Sequence, residues 1–147
     1  MSSLIESLVI AGVFVALLVL IIKWAWPFTL WSEVAISKMG YCQVHYPPGA
    51  DRRDQNFLVS VRLNRGMDLS EPGKIITRFR ECGLCLASKA DLDMLCSAAY
   101  NLADPGEALV IRGHLGGYKL ISAPNGYPVA QRLPTTQDIW LLTRCRY

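Results

Sequence analysis

Between Leu8 and Ile22 the chain reads LVIAGVFVALLVLII, without a charge or a proline. Leu4 and Ile5 extend this run on one side, and Lys23, Trp24, Ala25 and Trp26 follow on the other. About 20 consecutive apolar residues are what a helix needs to cross the hydrocarbon core of a bilayer. The pattern therefore predicts one transmembrane helix. Pro27 marks its expected end, because proline has no N–H for the helical ladder. Residues 1–32 are assigned to this anchor, with Trp24, Trp26 and Trp31 as an interfacial aromatic belt and Lys23 snorkelling to the headgroups. A cleaved signal peptide fits less well. MSSLIES has no Lys or Arg, and tryptophans rather than small residues follow the apolar run.

Beyond the anchor the period changes. Residues 33–56 hold Gly40, Pro47-Pro48-Gly49 and a charged run, and read as a linker with one irregular strand at Tyr41–Tyr46. In FLVSVRL, residues 57–63, the apolar Phe57, Val59, Val61 and Leu63 alternate with Leu58, Ser60 and Arg62, which is the period of a strand. Ser70 is placed to cap a helix over 71–82, with Ile75, Ile76, Phe79 and Cys82 along one side. Gly83 suits the left-handed turn that ends it, and LCLAS is the next strand. Residues 88–103 fit either a helix opened by a Ser88/Asp91 capping box or a strand. EALVIRGHL reads as a strand, and YKLISAP–Asn125-Gly126–YPVAQRL as a hairpin. The tail at 135–147 fits helix or strand. The predicted fold class is α+β: a single N-terminal transmembrane helix, then a small domain over 57–147 with a mainly antiparallel sheet and one or two helices.

Charge and chemistry refine this picture only a little. The net charge is +3, with bases and acids interleaved. No basic-aromatic ladder of the kind that binds nucleic acid is present. The flank before the apolar run carries Glu6 and no Lys or Arg, whereas Lys23 and Lys38 follow it. By the positive-inside rule the N-terminus is expected outside and the domain in the cytoplasm. Five cysteines at scattered spacing point the same way, towards a reducing compartment. Cys82-Gly-Leu-Cys85 is a CxxC, but no second ligand pair accompanies it. It also straddles a helix end, the wrong pole for a lowered thiol pKa. The expectation is that Cys82 packs under the helix and Cys85 lies in a strand. GHLGG, residues 113–117, lacks the Lys and Ser/Thr of a phosphate-binding loop, and neither His45 nor His114 sits in a nucleophile motif. The sequence thus predicts no catalytic residues, no metal, no cofactor, no small-molecule substrate and no nucleic acid, and a binding module rather than an enzyme.

Several stretches in order resemble the C-terminal domain of ZipA-type bacterial division proteins, which anchor the tubulin-like protein FtsZ at the inner membrane. They are FLVSVRL, Glu81-Cys82-Gly83-Leu84, CLASKAD, LCSAAYNLADPG, ALVIRG and NGYPVAQRLPTTQD. The linker is shorter than that family's, the second long helix is reduced, and Lys89 stands where the family is apolar. The resemblance implies a bacterial inner-membrane protein of cell division and septation. Its cytoplasmic domain would dock the FtsZ C-terminal tail on an apolar sheet face formed by Val61, Leu63, Leu86, Leu102 and Ile111. The lipid bilayer would be the second partner. The alternative is a non-catalytic accessory subunit of a larger secretion, respiratory or viral envelope assembly.

Overall fold

The computed structural model describes residues 2–25, 30–47, 49, 57–95, 101–122 and 127–146. The apolar run forms helix α1, Ser2–Ala25. Its span Ser2–Ile22 has a mean hydropathy of 2.9, and none of it is buried. At about 1.5 Å per residue such a helix covers roughly 30 Å, the thickness of the bilayer core. A short helix α2, Leu30–Ser37, leads into the domain.

The sheet has six strands: β1 Gly40–His45, β2 Leu58–Leu63, β3 Leu84–Leu86, β4 Ala108–Arg112, β5 Tyr118–Ser122 and β6 Ile139–Arg144. Their order is β1-β2-β6-β4-β5, with β3 also paired to β6. All pairings are antiparallel except β4 with β6. Leu142 faces Val59 on one side and Leu86 on the other, so β2 and β3 flank opposite edges of β6. The last strand in sequence is thus central in space, and the ambiguous tail is strand. Residues 36–45 belong to the folded unit rather than to a linker: Ile36 and Met39 are core residues, and β1 pairs with β2 along its whole length. The mainly antiparallel α+β class expected from the sequence is the one observed.

Strand alternation divides the core in two. Val59, Val61 and Leu63 of β2 lie with Trp140 and Leu142 under helix α3, Pro72–Glu81, which contributes Ile75, Ile76 and Phe79. The Phe79 and Trp140 rings meet at 5.7 Å between centroids, tilted by 55°. On the other face Leu58, Leu109, Ile111, Ile121, Ile139 and Leu141 pack with Ala87 and with Leu92 of helix α4, Lys89–Leu95. Residues on the two faces alternate because side chains along a strand point in opposite directions.

The ends of the helices differ in how well they were legible. Ser70 caps nothing: α3 starts at Pro72 with Glu71 at its N-cap and no side-chain cap bond. The Ser70 N–H instead donates to Asp68 Oδ1 at 2.9 Å. Gly83 does end the helix, with φ +79. The capping box of α4 also forms: the Ser88 N–H donates to Asp91 Oδ2 at 2.8 Å and the Asp91 N–H to Ser88 Oγ at 3.2 Å. That closure resolves the start of 88–103 as helix. The expected hairpin around Asn125-Gly126 lies outside the described residues. Around it, Ile121 and Pro128 form a single bridge, and β5 has β4 as its full-length partner.

Candidate functional site

Four of the five apolar positions expected on one docking face are buried in the structure, and the five divide between the two faces. Val61, Leu63 and Leu86 lie in the core beneath α3. Ile111 lies in the core beneath α4, and Leu102 packs against its rim. β2 residues of odd number and Ile111 of β4 project to opposite sides, so no single face presents all five. Leu102 and Ile111 each border a surface depression, and the two depressions are separate. In the anchor, Lys23 and Trp24 lie in α1 and Trp31 in α2 with side chains outside the described residues, and Trp26 lies outside them altogether.

The depression beside Leu102 is the polar end of the second face. Tyr41 and Gln43 of β1, Ser60 and Arg62 of β2, Leu102 and Ile139 line about 160 Å³. Ser60 is buried there. His45 Nε2 lies 3.0 Å from Ser60 Oγ, and that hydroxyl is 3.4 Å from the Gln43 carbonyl oxygen. Burial pushes the His45 pKa down, so the ring is neutral at neutral pH. A serine beside a neutral histidine is the start of a nucleophilic pair. Here no carboxylate among the described residues is bonded to His45 to orient it, and the pair bridges adjacent strands. It therefore ties β1 to β2 across the sheet.

Two charged pairs brace the same end of the domain. Arg62 donates from both guanidinium nitrogens to Glu107, at 2.7 and 3.1 Å, and Glu107 Oε2 also accepts from the Asp104 N–H at 2.8 Å. Asp138 is fully buried and accepts from Arg132 at 2.7 and 2.8 Å, from the Thr135 N–H at 2.8 Å and from the Ala108 N–H at 2.9 Å. Burial alone would raise the Asp138 pKa. The Arg132 guanidinium and the two backbone donors outweigh it and hold the carboxyl below its usual range. Sequence reading missed both pairs. The Asp138 carboxylate closes a turn with Thr135 before β6.

The cysteines require a correction. Cys85 and Cys145 form a disulfide across 60 positions of sequence, with Cα atoms 5.0 Å apart. The scattered spacing had suggested a reducing compartment. The pairing is created by the sheet: β3 runs antiparallel to β6, and the Cys145 N–H donates to the Gly83 carbonyl at 3.0 Å. Connectivity of this kind is not deducible from spacing. The two halves of CxxC do fall on different elements, as expected, with Cys82 at the C-cap of α3 and Cys85 in β3. Burial, then Glu81, raises the Cys82 pKa, and burial, then Glu33, raises that of Cys42. Both are held as thiols rather than thiolates. Among the described residues no three His, Cys, Asp or Glu side chains converge as a metal site would require.

No family model matches this chain, and neither a curated protein nor a solved structure matches it.

Proposed function

We propose that this chain is a single-pass membrane protein whose folded domain is a non-enzymatic module that holds a protein partner close to the bilayer. One observation carries the reading. A helix that is apolar and exposed along its whole span is joined by few residues to a compact sheet domain. Confinement to a membrane raises the effective concentration of weak contacts, so such a module needs no high single-site affinity. The side of the membrane is where the expectations collide. Lys23 argues for a cytoplasmic domain, but a single lysine is a weak bias. The Cys85–Cys145 bond argues for the oxidising side, because thiol buffers keep cytosolic cysteines reduced. We favour the oxidising side. The FtsZ tail implied by the resemblance needs a cytoplasmic domain and one apolar face, and the burial of Val61, Leu63, Leu86 and Ile111 lends that ligand no support.

Photo-crosslinking from surface positions of the full chain in native membranes tests the module. The expected result is one protein partner captured from the domain and not from α1. A stoichiometric set of several membrane subunits co-purifying in detergent would replace this reading with that of an accessory subunit. The absence of any adduct would overturn both.

A further inference from the structure

The loop from Gly113 to Gly117 joins β4 to β5 and carries an exposed leucine under strain. Leu115 is fully exposed and sits in the left-handed region, with φ 56 and ψ 31. A β-carbon crowds the following carbonyl there, and glycine or asparagine would hold the turn with less strain. Strain at an exposed apolar residue adds nothing to the fold, and such outliers gather at contact sites. Three arginines stand at the same end of the domain, on the side that α3 covers. A Cβ on Gly116 would lie 3.7 Å from the Arg80 guanidinium. Arg112 is two residues beyond Val110 and Arg144 two beyond Leu142, so both project to the side of those core residues. Lys119 faces Ile111 across the β4–β5 pair, on the other side of the sheet, and lines a depression of about 150 Å³ with Lys89, Arg112 and His114. The nearby acids are Glu81, beside Arg80, and Asp91 and Asp93, which share α4 with Lys89 and offset it. Arg80, Arg112, Lys119 and Arg144 form no ion pair among the described residues and leave this end positive.

The path of the chain brings this end towards the bilayer. Gly40 pairs with Leu63, Arg62 with Ile139 and Ile139 with Leu109, which marks one end of the sheet. The tip lies at the other end, beyond Arg112 and Tyr118. α2 folds back along β1 towards the tip's end. Glu33, Val34 and Ser37 line one depression with Gly40, Tyr41 and Cys42, and Ile36 packs in the same core as Val59. Running antiparallel to β1, α2 has its first residue, Leu30, on the tip's side. Residues 26–29 alone separate Leu30 from Ala25, where α1 ends. At about 3.6 Å per residue even a fully extended chain spans at most about 18 Å there. The end of the domain that bears Leu115 and the arginines is thus the end tethered close to the membrane.

We propose that the Leu115 tip, with Arg80, Arg112, Lys119 and Arg144 around it, is a second membrane contact, in which the leucine enters the bilayer interface and the cations meet anionic lipid headgroups. The proposal rests on the single-pass reading above and gives the domain a fixed posture on the bilayer. An apolar side chain combined with a basic rim is the pattern that binds anionic lipid surfaces. Each signal alone is weak, and α1 supplies the proximity that lets them act together. The same short tether favours lipid over an acidic protein segment, which would have to displace a surface already held beside the domain.

The test uses the full chain in nanodiscs, with a nitroxide on His114→Cys in a Cys42→Ser and Cys82→Ser background. It reads how far the label is shielded from a water-soluble nickel chelate. The label is expected to be shielded in phosphatidylglycerol-rich discs and exposed in phosphatidylcholine discs. The ratio of shielded to exposed label should fall about tenfold on Leu115→Asn, and at least about tenfold on Arg112→Glu combined with Arg144→Glu. Leu115→Asn should melt at the same or a higher temperature than the parent; a lower one would make the leucine structural and overturn the proposal. So would a label equally exposed in both lipids, or shielding that ignores these substitutions. Shielding that needs more than one chain per disc would make the surface a contact between copies instead. A label exposed in both lipids but shielded by a glutamate-rich peptide containing two leucines would assign the surface to an acidic protein. Partner crosslinking that survives the loss of docking keeps the module reading and removes only this contact. Docking without any crosslinked partner keeps this contact and removes the module.

Discussion

At the scale of the residue, the buried Asp138 decides most. Its charge is held by Arg132 and two backbone donors, so removing one member leaves polar groups without partners in the core. Asp138→Asn is expected to cost about 3 kcal/mol in chemical unfolding followed by circular dichroism, as breaking a buried charged pair usually does. The pH dependence has a definite sign. The folded pKa lies below the unfolded value of about 3.9, so the stabilisation is complete above that value and is lost as pH falls through the folded pKa. The variant should lose this acid-limb slope, and a slope unchanged by the substitution would show that another carboxylate governs it. Nothing in the sequence around Asp138 distinguished it from a surface acid. Its partners come from a preceding loop and from the start of β4, 30 positions away. The reverse holds for Gly83, whose role was legible because a left-handed helix end is a local demand of the backbone.

Elements were legible where their periodicity was clear, even where the expected N-cap, Ser70 of α3, was not the one used. β2 and α3 each carry their core face in their own spacing. β6 did not, since a strand buried on both faces, with Trp140, Leu141 and Leu142 all in core, reads as a continuous apolar run. The same two-sided burial explains why apolar positions expected on a docking face turned out to be packing. Once α3 and α4 cover the sheet, Val61 and Ile111 have no water to face. The elements should therefore fail unequally. Phe79→Ala empties the centre of the larger core against Trp140 and is expected to cost about 3–5 kcal/mol. Ser88→Ala removes one capping interaction of a seven-residue helix and is expected to cost about 1 kcal/mol. Thermal or urea unfolding of the two variants side by side measures the ratio. Equal losses would mean that α4, rather than α3, organises the sheet.

For the whole molecule, the disulfide joins scale to location. It closes a loop of 60 residues around β3, α4, β4, β5 and β6, and chain-entropy reasoning gives such a closure about 4 kcal/mol of stabilisation. A domain of this size has a total stability of about 5–15 kcal/mol, so its compartment matters to whether it stays folded. The long apolar helix was legible in a single run, whereas the side of the membrane on which the domain would lie was not. One lysine and five unassigned cysteines gave a direction that the observed pairing opposes. The decisive measurement is thiol labelling of the full chain, denatured directly from intact cells in the presence of a heavy maleimide and without reductant. On the oxidising side Cys85 and Cys145 escape the label until a reductant is added, and a protease applied to intact cells removes a tag placed after Tyr147. Cys85→Ser should then free Cys145 for labelling and lower the midpoint of unfolding. If both cysteines take the label before reduction and the tag is protected, the domain is cytoplasmic. Its stability would then rest on the two cores alone, and the lysine flanking the anchor would have been the better guide.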